Sequence, residues 1–401
     1  MKKFFLISQV FYPDEVSTAN LFTILCTHLA NENIEVEVWA AQPSYTNSDK
    51  KPGQLFHKGI KIRYLLSTRF HKSNLLGKLL NILSFMVSTI TRLLLSKDKS
   101  PVFTHTTPPF LGIIVSLICR IKKRKFIYIM LDIFPEGLIR LERLSINNPV
   151  TKIWKKMFVR SLKRSDKILV LGRDMGDYLI SIYDGIKNKI DYIPHWQDEN
   201  LIRPIRFEDN LFVSEHNLSD HFVVQYSGNM GLWNDMATIG RAAARNIAGV
   251  KFLFIGGGMR KKELLDTLPN ENINNIKFLP FQPGYKLCEA LSACHASIVS
   301  LRSGLEGMAV PSKIYGILAS GVPVIALVPE KSEIAYIVRE ENCGYVVDPG
   351  DVDGLINAII ELKSDEKLRQ KMGTNGRKAF EKKYTTKRIA EKYKLLLQTL
   401  D

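Results

Sequence analysis

The chain has 401 residues, 45% of them hydrophobic, and a formal net charge of +16. A chain of this length and apolar content can bury a large hydrophobic core, and we expect it to form two domains. Residues 1–204 hold 31 lysines and arginines against 17 aspartates and glutamates, a net charge of +14, which leaves only +2 for the rest. We therefore expect the first half to meet a negatively charged partner, for which nucleic acid and anionic lipid both qualify.

Cysteine usage indicates a reducing compartment. The five cysteines are odd in number and scattered, without metal-type pairing, so they predict reduced thiols in a cytosolic protein. They are Cys26, Cys119, Cys288, Cys294 and Cys343. The apolar run at the N-terminus breaks at Gln9 and Pro13, so it predicts a first β-strand and not a signal peptide.

The first strand, residues 4–10, is followed by a helix that we expect Ser17 or Thr18 to cap and that extends to about Asn31. Residues 35–41 and 61–65 are the next predicted strands. Residues 75–95 are the most apolar stretch, near the roughly 20 residues that span a bilayer. Lys78, Asn81 and Arg92 interrupt it.

Two interpretations of residues 75–95 stay open: an amphipathic helix in the membrane interface, or a helix buried against the sheet. The first interpretation rests on the basic residues Lys72, Lys78, Arg92 and Lys97 at its ends. The basic run RIKKRK, residues 120–125, follows a second apolar helix at 110–119 and suggests contact with anionic lipid head groups.

Acidic residues follow the strand predicted at 126–131. Asp132 and Glu136 lie at its carboxyl end, where a catalytic group belongs in an open parallel sheet, although acids there also cap helices. His105 ends another strand. A basic helix at 152–167, strands at 168–171 and 190–194, and a polar linker to about Pro204 complete the first domain.

A second alternation of strands and helices begins at residue 222. The strand at 223–226 leads into the loop 227–231, and the strand at 252–255 ends in three glycines, which we interpret as a turn and not as a dinucleotide fingerprint. Another strand is predicted at 278–281. Asp351 and Asp353 open a helix, so an N-cap is favoured over a metal-binding pair. A charged helix at 386–400 ends the chain.

The segment from Arg302 to Ile325 joins two predicted strands, 296–301 and 323–328, through a loop and a helix. A helix N-terminus beyond the carboxyl end of a parallel strand favours an anion. Gly307 and Ala309 would let backbone amides approach a diphosphate, Lys313 adds charge, and Glu306 is placed to bind a neutral polyol. An ordinary strand, loop and helix without a ligand is the alternative.

This segment resembles the donor-binding signature of the family-four retaining glycosyltransferases. The positions that match are Glu306, Gly307, Pro311, Gly321, Pro323 and Val324. Gly316 stands where the family has a second glutamate, which usually holds the nucleotide ribose. The form PSK-x-YGILA resembles a branch that builds bacterial surface polysaccharides (O-antigen, colanic acid or capsule), including fucosamine-transferase-like members.

The resemblance implies an α/β protein with the glycosyltransferase-B fold, in which two Rossmann-like domains face each other across a cleft. The acceptor- and membrane-facing domain would cover residues 1–204, and the donor-binding domain residues 205–382. The helix at 383–401 would return toward the first domain.

The resemblance also implies site residues. Relatives often carry a basic pair in the loop after the strand at 223–226; here it is missing, so Lys313 and Arg302 would replace it. Catalytic roles fall to Asp132, Glu306 and Lys313, and acceptor contacts to His105 and Glu136, although a structural role is the alternative for His105. The donor-binding residues are Ser17, Thr18, Gly228, Asn229, Arg302, Gly307, Met308, Ala309 and Ser312.

The expected function is transfer, with retention, of a sugar from a nucleotide diphosphate sugar to a polyprenyl diphosphate-linked sugar. The expected mechanism is front-face attack without a metal or other cofactor, in the cytoplasm on the inner face of the cell membrane. A nucleotide-sugar 2-epimerase of the same fold and a non-catalytic lipid- or nucleic-acid-binding protein are the alternatives. No nucleic acid partner is expected, because RIKKRK contains no aromatic residue.

Overall fold

In the computed structural model, which describes residues 2–43, 54–70, 75–269 and 274–400, the chain forms two compact units. Unit 1 comprises residues 1–194 together with 386–401, and unit 2 comprises residues 195–385. The boundary predicted at residue 204 lies later in the chain than the observed one, and the C-terminal helix, predicted from residue 383, joins unit 1 from residue 386.

Unit 1 is built on an eight-stranded sheet in the order β3-β4-β2-β1-β5-β6-β7-β8, parallel except for the pair β3–β4. Helices α1 to α6 and α15 pack around it. Its elements are β1 Lys3–Ser8, α1 Ser17–Asn31, β2 Glu35–Ala40, β3 Gln54–His57, β4 Ile60–Tyr64, α2 Leu75–Leu95, β5 Val102–His105, α3 Leu111–Ile121, β6 Phe126–Met130, α4 Glu136–Arg140, α5 Pro149–Arg164, β7 Lys167–Val170, α6 Arg173–Ile182, β8 Ile190–Tyr192 and α15 Thr386–Thr399.

Unit 2 has a six-stranded parallel sheet in the order β11-β10-β9-β12-β13-β14. Its elements are α7 Leu211–Glu215, β9 Phe222–Ser227, α8 Met236–Ala244, β10 Val250–Ile255, α9 Lys261–Leu265, β11 Ile276–Leu279, α10 Leu287–Ser292, β12 Ala296–Ser300, α11 Lys313–Ser320, β13 Val324–Leu327, α12 Glu333–Glu340, β14 Gly344–Val347, α13 Val352–Ser364 and α14 Glu366–Lys383.

Strand order reverses once within each parallel region. In unit 1 the order runs outward from β1 and β5 in opposite directions, and in unit 2 it does so from β9 and β12. Loops leaving such neighbouring strands diverge at their carboxyl ends and open a crevice there, which is where open α/β sheets bind ligands. The loops after β9 and β12 are those that the sequence marked for the donor.

The last helix returns to unit 1, as predicted. α15 packs against α1, and the ring of Tyr393 lies edge-on to Phe4 with centroids 5.7 Å apart. Lys394 forms an ion pair with Glu32 at 2.8 Å. Burial of Tyr393, which is 1% exposed, fixes the end of the chain to the sheet formed by its beginning.

Helix α2 presents two contrasting faces. Its buried face carries Phe85, Thr89 and Leu93, whereas seven of its leucines and valines are exposed. The exposed residues are Leu76, Leu79, Leu80, Leu83, Val87, Leu94 and Leu95.

Within the described parts of the chain, Leu76–Leu95 is the stretch long and apolar enough to cross a membrane, and 28% of its most apolar window is buried. The helix is therefore not a fully buried core helix. Asn81 has a structural role, because its side chain hydrogen-bonds Thr68 and both the N–H and the carbonyl of Phe70. Lys72 lies outside the described residues.

The N-cap of α1 and the contacts of the basic run 120–125 both differ from their predictions. Val16 occupies the N-cap position of α1 without a side-chain cap hydrogen bond, and Ser17 already belongs to the helix. In the basic run, Arg124 is buried and donates to the carbonyl of Ser100, while Lys122 and Lys125 donate to the carbonyls of Leu94 and Leu400. Three of its cations are therefore tied to the protein itself.

Candidate active site

The loop after β9 is the Ser-Gly-Asn loop, residues Ser227, Gly228 and Asn229. Gly228 has a φ of 113°, a left-handed conformation that favours glycine. A Cβ at this position would lie 2.8 Å from Cε of Lys313. Glycine here therefore lets the lysine stem of α11 pass close to the backbone of the loop.

Lys313 reaches the Ser-Gly-Asn loop from the first position of α11. Its Nζ donates to the Tyr226 hydroxyl and to the Asn229 carbonyl, both at 2.6 Å, and lies 4.4 Å from the centre of the Tyr226 ring. Burial lowers the pKa of Lys313 to about 7. The structure thus brings the predicted residues Lys313, Gly228 and Asn229 together and places a cation beside the loop that lacks the family's basic pair.

The three glycines after β10, predicted as a turn, also pack against the Ser-Gly-Asn loop. Gly256 and Gly258 have positive φ angles, and a Cβ on either would lie 2.5 Å from the carbonyl of Gly228 or of Met230. The Gly228 N–H donates to Ile255 and the Met230 N–H to Gly257. The glycine run is thus packed directly under the Ser-Gly-Asn loop, a role that its repetition alone could have suggested.

Trp233 and Asn234 tie the end of this loop to the end of β12. The Arg302 N–H donates to the carbonyl of Trp233 at 2.8 Å, and the Asn234 side chain donates to the carbonyl of Ser300 at 2.9 Å. The same side chain accepts from the Gly231 N–H. The guanidinium of Arg302 has no ion pair with any described residue, so its charge is available to a ligand.

The loop that carries Glu306 makes two tight turns. Gly304 and Gly307 have φ angles of 78° and 75°, which only glycine adopts readily. Met308, a predicted donor contact, has a fully buried side chain, and its N–H donates to the Leu305 carbonyl at 3.0 Å. Ala309 is 8% exposed, so any contact that it makes to a ligand must come through its backbone.

The N-terminus of α11 follows this loop. Ser312 is its N-cap residue and makes no side-chain cap hydrogen bond. The orphan amides of the first helical turn are therefore not satisfied by this side chain, which is the arrangement that suits an anion. Gly321 ends the helix in the left-handed conformation with a φ of 70°, as the sequence predicts.

Gly316 lies on a buried part of α11. A Cβ at this position would lie 3.3 Å from Leu291 and about 4 Å from Gln197 and Ile202. A glutamate at this position would have to displace these side chains. The side chains around position 316 are therefore packed closely enough to favour glycine.

In unit 1, Ser17 and Thr18 begin α1 beyond the carboxyl end of β1. Ser17 is exposed, and the absence of a side-chain cap leaves this helix N-terminus able to accept an anionic group. Ser17 and Thr18 therefore remain predicted donor contacts, although not as caps.

Asp132 lies directly beyond the carboxyl end of β6. Its backbone N–H and that of Leu131 both donate to Oγ1 of Thr106, which fixes the turn, and α4 begins only at Glu136, so Asp132 does not cap a helix. Its carboxylate makes no hydrogen bond or ion pair with the described residues. Burial raises the pKa of Asp132 to about 6, in the range useful to a group that exchanges protons near neutral pH.

His105 and Glu136 are both engaged by other side chains. His105 is fully buried; its Nδ1 accepts from the Thr107 N–H, so Nε2 carries the proton and donates to the Ser8 hydroxyl at 2.8 Å. Burial lowers the pKa of His105 to about 4, which keeps the ring neutral. Glu136 forms an ion pair with Lys155 at 2.8 Å. This geometry favours the structural role that was the alternative for His105.

No group of three or more histidine, cysteine, aspartate or glutamate side chains within the described parts of the chain is arranged to hold a metal ion. The side chain of Asp351 accepts from the Gly354 N–H at 2.8 Å, which confirms it as the N-cap of α13.

Residues 208–379 match the family model described as glycosyl transferases group 1. The chain is 25% identical over 263 residues to WbjE of Pseudomonas aeruginosa, described as a glycosyltransferase, with 65% of each chain aligned. It is 24% identical over 207 residues to WcaI of Escherichia coli K12, described as a colanic acid biosynthesis glycosyl transferase, with 50% of this chain and 51% of that one aligned.

Residues 208–379 therefore form a group 1 glycosyl transferase domain. The alignments of the chain span only about two thirds and one half of the length of these two curated relatives.

Solved structures confirm the fold over the whole length of the chain. Sucrose-phosphate synthase from Thermosynechococcus elongatus superposes with a TM-score of 0.78 at 17% identity, covering 100% of this chain and 99% of that one. HepE from Anabaena, solved in complex with UDP, gives 0.75 at 15% identity with both chains fully covered. The predicted glycosyltransferase-B fold is therefore correct.

Proposed function

We propose that the chain is a group 1 glycosyltransferase that moves a sugar, with retention, from a nucleotide diphosphate sugar to a lipid-linked sugar acceptor in the assembly of a bacterial surface polysaccharide. The observation that carries the proposal is the contact of Lys313 with the Ser-Gly-Asn loop, beyond β9 and beside the strand-order reversal of unit 2. A diphosphate needs cations there, and Lys313 supplies one from α11.

The donor site would use three features of unit 2. Lys313 and Arg302 would bind the diphosphate oxygens, the uncapped N-terminus of α11 would add its amides, and Glu306 would bind sugar hydroxyls. As the bond to the sugar breaks, negative charge develops on the diphosphate, and preorganised cations stabilise that charge. Leaving-group stabilisation would therefore come from this chain's own residues.

On the acceptor side, Asp132 is the candidate for activating the attacking hydroxyl. Its carboxylate is half-buried and makes no hydrogen bond or ion pair with the described residues, so in its ionised form it can accept a hydrogen bond from an alcohol. In front-face attack the departing diphosphate takes the acceptor proton, and Asp132 would orient the hydroxyl for that transfer.

A lipid-linked acceptor and a location on the inner face of the cell membrane are proposed from α2. Its exposed leucines would lie in the membrane interface, with Lys78 and Arg92 near anionic head groups. The net charge of +14 on residues 1–204 acts in the same direction. WcaI, described as acting in colanic acid biosynthesis, supports a surface polysaccharide as the product.

Thermal unfolding of the purified protein with a panel of nucleoside diphosphates and nucleotide sugars tests the donor. Ligand that binds only the native state at 100 times its dissociation constant stabilises the protein by about 2.7 kcal/mol. We expect the melting temperature to rise with the nucleotides of one base, and to rise far less for Lys313→Ala. Lys331→Ala, which removes an exposed lysine of the same unit, is the matched control. Well-folded protein that responds to none of the nucleotides would refute the proposal.

A further inference from the structure

Unit 1 contains a cavity away from the candidate acceptor residues. It has a volume of about 830 Å³ and lies between the C-terminal half of α2 and the strands β1, β2 and β4. Ligand pockets usually measure roughly 300–1,000 Å³. The cavity reaches Lys3, the first residue of β1, whereas Ser17, Thr18 and Asp132 follow the carboxyl ends of their strands.

A buried carboxylate and a ring of cations line this cavity. Glu37 is 5% exposed and accepts hydrogen bonds from Lys3 Nζ at 2.7 Å and Trp39 Nε1 at 2.9 Å. Lys61 Nζ and Arg63 Nε each lie 3.6 Å from a Glu37 oxygen, which is too long for a hydrogen bond. The two cations therefore pair with Glu37 by charge alone and keep their donors.

The guanidinium groups of Arg63 and Arg92 are not fully paired by the described residues. Nε of Arg63 is buried and has no hydrogen-bond partner in the described structure, and a buried unsatisfied donor is costly. The side chain of Arg92 makes no ion pair with the described residues. Four cations line the cavity against two carboxylates, Glu37 and Asp98, so its lining carries a net positive charge.

The rest of the lining is apolar. Leu66, Val87 and Leu95 lie at the cavity and are 69%, 62% and 77% exposed, which is unusual for three neighbouring aliphatic side chains. A ligand that satisfies both parts of the lining must carry a negative head and an alkyl chain.

We propose that this cavity binds an anionic phospholipid. Its phosphate lies against Lys61, Arg63 and Arg92, where charge-assisted hydrogen bonds to guanidinium groups are strong, and one alkyl chain covers Leu66, Val87 and Leu95. This site is separate from the nucleotide site of unit 2, and its occupancy does not depend on sugar transfer.

Isothermal titration with dihexanoylphosphatidylglycerol below its critical micelle concentration tests the site without a membrane surface. We expect saturable binding of one lipid per chain, and at least tenfold weaker binding for Arg63→Gln. Thr91→Trp adds bulk to the cavity from α2 without replacing a charged residue, and we expect it to abolish binding. Lys187→Gln, which removes an exposed cation of unit 1 outside the cavity lining, is the matched control and should bind like the parent.

Three outcomes would overturn the proposal. Equal binding of dihexanoylphosphatidylcholine would refute the role of the anionic head. Equal binding of glycerol 3-phosphate would show a site for free phosphate and not for a lipid. Undiminished lipid binding by both folded variants, Arg63→Gln and Thr91→Trp, would place the lipid elsewhere. Nucleotide-induced thermal shifts should be the same in all these variants, which separates this proposal from the proposed function.

Discussion

Lys313 is the residue whose chemistry most directly links the structure to the proposed reaction. Its amine is half-buried between the Tyr226 hydroxyl and the Asn229 carbonyl, and no carboxylate of the described residues is in hydrogen-bond contact with it. Burial without a counter-ion favours the neutral amine, which lowers its pKa to about 7. A bound diphosphate would provide the missing negative charge and return the amine to its charged form.

Binding of a nucleoside diphosphate should therefore take up a proton on Lys313. At pH 8, one unit above a pKa of 7, about nine in ten amines are neutral, so the uptake approaches one proton; at pH 6 it falls to nearly zero. Isothermal titration in buffers that differ in ionisation enthalpy measures this uptake.

The lysine variants distinguish proton uptake by Lys313 from protonation changes of the nucleotide itself. We expect the uptake at pH 8 to disappear in Lys313→Ala and to persist in Lys331→Ala. Buffer-independent heats for the parent protein at pH 8 would contradict the role assigned to Lys313.

The ionised carboxylate of Asp132 should lower the free energy of unfolding, although the same group supports activity. Its pKa is about 6 in the native protein and about 3.8 when unfolded, so the native state binds the proton more tightly. Stability therefore falls as pH rises from about 4 to 6, and the ionised carboxylate costs up to about 3 kcal/mol above that window.

Asp132→Asn should accordingly raise the free energy of unfolding by up to about 3 kcal/mol at pH 7.5 and change it little at pH 4. Chemical denaturation at both pH values measures the difference. Transfer activity at pH 7.5 should fall by about a hundredfold, the usual cost of a misplaced reacting group, because Asp132 orients the acceptor hydroxyl. A variant that is destabilised at pH 7.5 would contradict this account of the buried carboxylate.

At the scale of elements, α2 combines a buried face with an exposed apolar face, and the two have different functions. The buried face, with Phe85 and Leu93, holds the helix on unit 1, and Asn81 fixes the segment before it. The outer leucines leave much of their apolar surface exposed to water, which costs solubility. A membrane interface would bury them.

Leu79→Glu combined with Leu83→Glu should weaken binding to phosphatidylglycerol vesicles at least tenfold. Both leucines are about half exposed, at 51% and 47%, so the fold tolerates the change, while two carboxylates in the interface oppose insertion. Co-sedimentation with vesicles measures the effect. Leu211→Glu, at a leucine that is 66% exposed in unit 2, is the matched control. Equal sedimentation of the double variant and the control would exclude α2 as the contact.

At the scale of the whole molecule, the last helix completes the unit that the first residues begin. Tyr393 is buried against Phe4, and the Lys2 and Lys125 amines donate to the carbonyls of Leu397 and Leu400. The stability of unit 1 therefore depends on residues that are synthesised after unit 2.

Tyr393→Ala should destabilise unit 1 by about 3 to 5 kcal/mol, because it leaves a large cavity next to the sheet. Hydrogen exchange should become faster in β1 and β5 and remain unchanged in β9 and β12. Tyr285→Ala, at a tyrosine that is 81% exposed, should change neither. Faster exchange throughout both sheets would contradict the assignment of α15 to unit 1 alone.

The sequence by itself determined the order of the elements and the fold. Apolar runs such as 296–301 and 126–131 predicted buried parallel strands because both faces of such strands are covered. Pro311 and Gly321 predicted the bounds of α11 within two residues, since the conformational limits of proline and glycine are local. Glu306 and Lys313 were found in the same way, from a signature that is continuous in the chain.

Only the tertiary structure decided which distant residues meet. Tyr226 and Lys313 are far apart in the chain, and the packing of α11 against β12, the strand next to β9, brings their polar atoms to 2.6 Å. The burial that lowers the pKa of Lys313 and raises that of Asp132 is likewise a property of the folded surroundings. Residue type sets the chemistry available to a side chain, but its desolvation and its partners depend on contacts between segments that the sequence does not place side by side.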